Sequence, residues 1–420
     1  MFPYQVPRKT MNQHKPVSTS NSHSRKLSQT RVGWFIAYLI RRLKRHHFTK
    51  FKLVLTNGQS FTLGHQDSDI GVPTIYLNHS LAVFRSSLNG MMGWAEGYMH
   101  ANWTCDDLVT LTDWAMYNEP ELKRVFKGSK LTQWGNRIYH RWHHNSKSGS
   151  RYNITYHYDL GNDFYRLWLD SGMTYSAALF QHPEQDLAAA QQEKYRTIFS
   201  LSEAQPGSHL CEIGCGWGGF AELVAQQENL MLHGITLSVA QLEWARKRTQ
   251  KYGNAISLSL TDYRDLNRTY DHIISIEMFE AVGESHWQTF FQTLQRCLKR
   301  SGTAVLQIIC IAEERFASYR RNTDFIQRYI FPGGMLPTAS KIRQLTDQHG
   351  LRLETEQNMG QSYAKTLSIW RRNFLAAAPA IDELGLDHRF QRMWEYYLAY
   401  CESGFRYQSI DVRIFKLRKP

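Results

Sequence analysis

The chain has 420 residues, 42% hydrophobic and 13% aromatic, a globular composition with material for two or three domains that excludes a disordered or low-complexity protein. Its formal net charge is +13, yet twelve Lys and Arg lie within residues 1–52, no acid precedes Asp67, and the remainder is nearly neutral. An apolar run of 18 residues, a signal-peptide pattern and a disulfide framework are all lacking, so the sequence predicts a cytoplasmic protein that does not span a membrane.

Residues 1–30, rich in Ser, Thr, Gln, Asn and His, read as a disordered basic tail, with a mitochondrial transit peptide as the competing interpretation. Over 31–48, Val32, Phe35, Ile36, Leu39, Ile40 and Leu43 share one helical face, and Arg41, Arg42, Lys44 and Arg45 cluster near the end. Such a basic amphipathic helix either lies on an anionic membrane or packs its stripe on the next domain, and one helix can do both. No groove-reading motif accompanies the charge, so nucleic acid is not an expected partner.

Residues 51–140 predict a small α+β unit: a hairpin over 51–63 turning at Asn57-Gly58, a third strand at 75–77, and helices over about 80–92 and 105–117. Residues 141–155, with a Ser-Lys-Ser-Gly-Ser run, read as a linker. His143 and His144 have no Cys or His at ligand spacing, so no metal site is expected.

From 156 to 420 the pattern alternates, with strands at 209–213, 231–237, 255–260, 271–276 and 303–311 and helices near 184–201, 217–228, 238–252 and 284–299. Alternation of this kind means a doubly wound α/β parallel sheet, with ligands at the carboxyl ends of its strands. One such end carries Glu212-Ile213-Gly214-Cys215-Gly216-Trp217-Gly218-Gly219, where Gly214, Gly216 and Gly218 let a nucleotide approach the backbone. The same spacing fits an NAD fingerprint, but the next strand lacks the acid that would hold ribose hydroxyls. Glu212, just before the turn, suits instead a ligand with a cationic amino group, such as S-adenosylmethionine. Cys211 and Cys215 have no second pair and read as core and loop thiols.

Further motifs carry a resemblance. These are Tyr156-His157-Tyr158-Asp159-Leu160-Gly161-Asn162-Asp163-Phe164-Tyr165, Met173-Thr174-Tyr175-Ser176, the glycine turn, Met278-Phe279-Glu280-Ala281-Val282-Gly283, Phe331-Pro332-Gly333-Gly334 and Tyr363-Ala364-Lys365-Thr366-Leu367. Together, from about 152 onward, they resemble the cyclopropane-fatty-acyl-phospholipid synthase and mycolic acid cyclopropane synthase family. The N-terminal unit is similar, more weakly, to the family's small lipid-binding domain. The resemblance implies a Rossmann-like class I methyltransferase sheet with helical lid insertions. It further implies methyl transfer from S-adenosylmethionine to the cis double bond of a phospholipid acyl chain; with the basic N-terminal segment this predicts peripheral association with the inner face of an anionic membrane, with a homodimer left open. The cofactor would meet Tyr175, Ser176, Gly214, Gly216, Thr236, Leu237, Gln241, Tyr263, Arg264 and Ile276. In the family a bicarbonate ion serves as base. Of its five ligands Glu280, Tyr363 and Cys401 match here, whereas Ala177 replaces a cysteine and Gln307 a histidine; Ala281 also stands where a histidine is usual.

An alkene is a poor nucleophile, so the chemistry needs alignment with the methyl donor and exclusion of water. Rings within 319–331 (Phe325, Tyr329, Phe331) and 394–407 (Trp394, Tyr396, Tyr397, Tyr400, Phe405, Tyr407) are enough to line an acyl channel and face a carbocation. Ring closure then requires a base, which Glu280 would organise directly or through a bound anion. Loss of a chain proton instead would give a methyl-branched or methylene fatty acid. A non-catalytic lipid-binding protein is the remaining alternative, disfavoured by the intact cofactor residues.

Overall fold

The computed structural model describes residues 31–65, 67–79, 90–125 and 160–420. The expected tail, residues 80–89 of the expected helix, and the linker at 141–155 lie outside them.

The N-terminal unit is a four-stranded sheet of β1 (Phe51–Val54), β2 (Ser60–Leu63), β3 (Thr74–Leu77) and β4 (Trp103–Cys105) in the order β2-β1-β3-β4. The hairpin forms as the Asn-Gly turn requires, with Gly58 at φ +80° and Phe51 opposite Leu63. Gly90–Met99 is helical among the described residues, and β4, only three residues long, had no sequence signal. The next helix, Leu108–Tyr117, starts three residues later than expected because the Asp107 side chain caps it, accepting from the Thr110 N–H at 2.8 Å.

The amphipathic helix forms over Arg31–Leu43 and buries Ile36, Leu39, Ile40 and Leu43 against this unit. Full burial of each such side chain stabilises by roughly 1.5–3 kcal/mol. Trp34 and Tyr38 remain exposed, at 57% and 43%, with their rings stacked 5.9 Å apart, and Arg41 continues the same outer face.

The larger sheet contains β5 (His209–Ile213), β6 (Met231–Thr236), β7 (Ile256–Leu260), β8 (Tyr270–Ile276), β9 (Leu298–Ile311), β10 (Arg352–Asn358) and β11 (Ile410–Arg418), in the order β10-β11-β9-β8-β5-β6-β7. Only β11 runs antiparallel to its neighbours. The five expected strands are present within a few residues; β9 starts at Leu298 rather than 303. The helix expected from 217 starts at Gly219, because the glycine turn continues through Gly218 at φ +81°.

Helices Gly360–Ala376 and His388–Arg406 lie side by side, and the second also carries the N-terminal unit. There Tyr98 donates to Glu395 at 2.7 Å, the hydroxyls of Thr112 and Ser403 meet at 2.7 Å, and Arg406 bridges Asp113 and Glu402.

Candidate active site

Strand order reverses at the centre of the large sheet: β6 flanks β5 on one side and β8 on the other. Loops leaving β5 and β8 therefore part, opening a crevice at the carboxyl ends, where α/β sheets place their ligands. The β5 loop is the glycine turn and the β8 loop is Glu277-Met278-Phe279-Glu280. They touch, since a Cβ on Gly214 (φ +89°) would lie 2.9 Å from Met278 Cγ. A cavity of about 500 Å³ opens between them and extends to Met91 and Met116 of the N-terminal unit.

On the β5 side Glu212 is 3% exposed, and burial pushes its carboxyl up to about 8 against the pull of Lys194 and Arg248. Among the described residues its Oε2 has no hydrogen-bond partner, and neither has the Tyr263 hydroxyl, which also lines the cavity. A buried carboxylate left open costs roughly 1–3 kcal/mol or more unless a ligand satisfies it. Gly216 leaves open space where a side chain would stand. These features fit a nucleotide with a cationic amino group. Gly214, Gly216, Tyr175, Ser176, Thr236, Leu237, Gln241 and Ile276 line the same cavity, and Thr236 donates to Gln241 at 3.0 Å.

Two expected cofactor contacts stand outside the wall. A Cβ on Gly218 would lie 3.0 Å from that of Ala245, so this glycine serves helix packing, while Arg264 grips Asp262 through Nε and a terminal nitrogen at 2.8 and 2.6 Å. Conversely, Lys194 gave no sequence signal in its polar helix. It is fully buried, donates to Ser176 Oγ at 2.6 Å, and is pushed down to about 8 by burial.

On the β8 side the centre is Glu277, which sequence reasoning missed. Its carboxylate accepts from the Ala177 N–H at 2.8 Å, Gln307 Nε2 at 2.6 Å and the Tyr363 hydroxyl at 2.8 Å. Thus three positions assigned to an anion by resemblance converge on one side chain. The available signal was an acid one residue beyond a central parallel strand. Glu280 accepts from the Ile309 N–H, keeps an unpartnered Oε2, and is pushed up to about 8 by burial and the neighbouring Glu277. Cys401 also lines the cavity, its thiol raised by burial, whereas Ala177 and Gln307 are not in the wall.

Of the expected channel rings, Phe331, Tyr397, Tyr400 and Phe405 line the cavity, while Phe325, Trp394 and Tyr396 belong to the core and Tyr329 donates to Glu96 at 2.6 Å. Tyr407 caps the end of His388–Arg406 and is not in the wall. The hydroxyls of Tyr175 and Tyr397 meet at 2.8 Å, and Trp370 backs Tyr175 at 5.4 Å between centroids. Among the described residues no group of His, Cys, Asp and Glu is arranged to hold a metal ion.

A seven-stranded sheet with an antiparallel penultimate strand and a glycine turn after its central strand defines a class I methyltransferase fold. The model of the mycolic acid cyclopropane synthetase family matches residues 144–415, and the chain belongs to that family. It is similar to a tuberculostearic acid methyltransferase of Mycobacterium tuberculosis, with 34% identity over 90% of each chain. Similarity to the cyclopropane-fatty-acyl-phospholipid synthase of Escherichia coli is 36% over 77% of this chain and 82% of the relative. Mycolic acid cyclopropane synthase CmaA1, solved with SAH and CTAB, superimposes with a TM-score of 0.61 at 29% identity, covering 64% of this chain and 98% of that one. The protein is an S-adenosylmethionine-dependent methyltransferase.

Proposed function

We propose that the protein transfers a methyl group to the cis double bond of an unsaturated phospholipid acyl chain and closes the adduct to a cyclopropane ring. One observation carries this reading: a single cavity joins the glycine turn, the carboxylates after β8 and a wall of aromatic and methionine side chains. S-adenosylmethionine, when bound, supplies an electrophilic methyl group on its sulfonium. Glu212 would hold the cationic amino group, and the glycine turn would admit the nucleoside. Phe331, Tyr397, Tyr400 and Phe405 would hold the acyl chain, keep water away and present π faces to developing positive charge.

Vesicles of an unsaturated phospholipid incubated with enzyme and S-adenosylmethionine should yield a product heavier by one CH2 with upfield ring protons in its NMR spectrum. A second product is favoured by the relative that matches 90% of both chains, the tuberculostearic acid methyltransferase. A methylene chain or a methyl-branched alkene would have the same added mass, would show no ring protons, and would be consumed by mild hydrogenation. That outcome assigns the enzyme to fatty-acyl C-methylation.

The outer face of the first helix supports docking on anionic lipid. Trp34 and Tyr38 suit the interface, Arg41, Lys44 and Arg45 are exposed beside them, and each basic group near the surface is worth about 1 kcal/mol. No helix among the described residues is long and apolar enough to cross a membrane. Replacing Trp34, Tyr38 and Arg41 by Ala together should reduce sedimentation with anionic vesicles at low salt. Unchanged sedimentation would refute docking through this face.

A further inference from the structure

We propose that Glu277 is the general base of the reaction, a carboxylate supplied by the chain itself, so that the enzyme turns over without bicarbonate. The inference rests on the methyl-transfer reading above but not on which product forms. Donors come first. The Ala177 N–H, Gln307 amide and Tyr363 hydroxyl all point at the Glu277 carboxylate, at 2.6–2.8 Å. A free anion could use them only by displacing a side chain already held by three hydrogen bonds. Of the roughly four lone-pair sites on a carboxylate, one remains, and Glu277 lines the cavity where substrate would lie.

Charge argues the same way. Glu280 is partly buried beside Glu277, and its burial and their repulsion already raise the Glu280 carboxyl. A further anion in this low-dielectric pocket would meet the same repulsion. Burial also raises the Glu277 carboxyl, while the Ala177 N–H, the nearby Lys194 charge, Tyr363 and Gln307 pull it back toward the ionised form a base must have.

Backbone geometry adds an independent sign. Glu277 sits at φ +47°, a left-handed conformation costing a non-glycine residue of order 1 kcal/mol, and its N–H is fixed to the Gln307 carbonyl at 2.8 Å. The strained turn directs the carboxylate back across the strand ends toward Gln307 and Tyr363.

In the step assigned to it, the alkene π pair forms the bond to the incoming carbon while the S–CH3 pair returns to sulfur. S-adenosylhomocysteine leaves, and a chain carbon is left electron-deficient. Glu277 then accepts a proton from the added carbon, and the released C–H pair becomes the third C–C bond of the ring. If the proton comes from a neighbouring chain carbon, that pair becomes a new C=C bond. In both cases Glu277 ends neutral and returns its proton to water when product leaves.

The test compares wild type, Glu277→Gln and Glu277→Gly in bicarbonate-depleted and bicarbonate-supplemented buffer, with calorimetry of S-adenosylhomocysteine and of bicarbonate. Wild-type rate should not change with bicarbonate, and bicarbonate should not bind the wild-type homocysteine complex. Glu277→Gln should lose about 100-fold or more in kcat with unaltered S-adenosylhomocysteine affinity, which also reports that it is folded. Glu277→Gly frees the three donors, so it should bind bicarbonate and recover activity with it. Bicarbonate-dependent wild-type turnover, bicarbonate binding to wild type, or a Glu277→Gln enzyme near wild-type kcat overturns the proposal. A wild type that forms no lipid product at all would instead refute the methyl-transfer reading, and the bicarbonate titration would still decide whether the pocket is filled by Glu277.

Discussion

The ends of β5 and β8 both place acidic side chains in the cavity wall, yet Glu212 and Glu277 are held in opposite ways. At β5, Glu212 keeps an oxygen without a partner and is pushed up to about 8 by burial. At β8, Glu277 is satisfied by three donors from three different segments of the chain. An incomplete carboxylate waits for a cation to complete it, whereas one fixed by three donors with a single lone pair left is held in place for chemistry that follows binding. Hydrogen bonding therefore separates binding from reaction, since both groups line the same cavity.

The largest break in this comparison should come from Glu212→Gln, which is expected to weaken S-adenosylhomocysteine binding about 100-fold, the effect of removing one partner of a buried charge pair. Calorimetry would show it, and wild-type affinity in the variant would remove Glu212 from the cofactor site. The pH dependence of the same titration sharpens the point. A carboxyl raised from 4.5 to about 8 is protonated in the ligand-free protein below that value, and a cationic ligand favours the ionised form. Affinity should therefore fall by up to about tenfold per pH unit on going down from about 8, and Glu212→Gln should flatten that slope. The same shift destabilises the ligand-free fold as pH rises from 4.5 towards 8, since the folded state binds the proton more tightly than the unfolded chain across that window.

On the reaction side Tyr363→Phe removes one donor from Glu277. A hydrogen bond to a charged group is worth roughly 1.5–3 kcal/mol, so kcat should drop about ten- to 100-fold. Its acidic limb should move to higher pH because the charged carboxylate has lost support, while homocysteine affinity stays constant. A weakened homocysteine affinity with unaltered kcat would place Tyr363 on the wrong side of the comparison. The smallest effect is expected from Gly218→Ala. With φ +81° and Ala245 at 3.0 Å, this change should lower thermal stability by about 1 kcal/mol through strain. It should leave cofactor affinity near wild type, since Gly218 does not line the cavity.

Sequence by itself determined the parallel sheet, the glycine turn with Glu212 before it, the Asn57-Gly58 hairpin and the apolar stripe of the first helix. These are local: a period of two or 3.6 residues, or a turn that only glycine allows, is written in consecutive positions. Less local elements escaped. β10 is a mostly polar edge strand with no apolar pattern, and β11, which does alternate, is recognisable as part of the sheet only beside β9. What only the tertiary structure decided is the role of Glu277. It stands three residues before Glu280, and nothing in that spacing says that residues 177, 307 and 363 would all turn their donors towards it. Those partners lie between 30 and 100 residues away, and they meet because the strand order reverses beside β5, opening a crevice into which a loop, a strand and a helix each present one polar group.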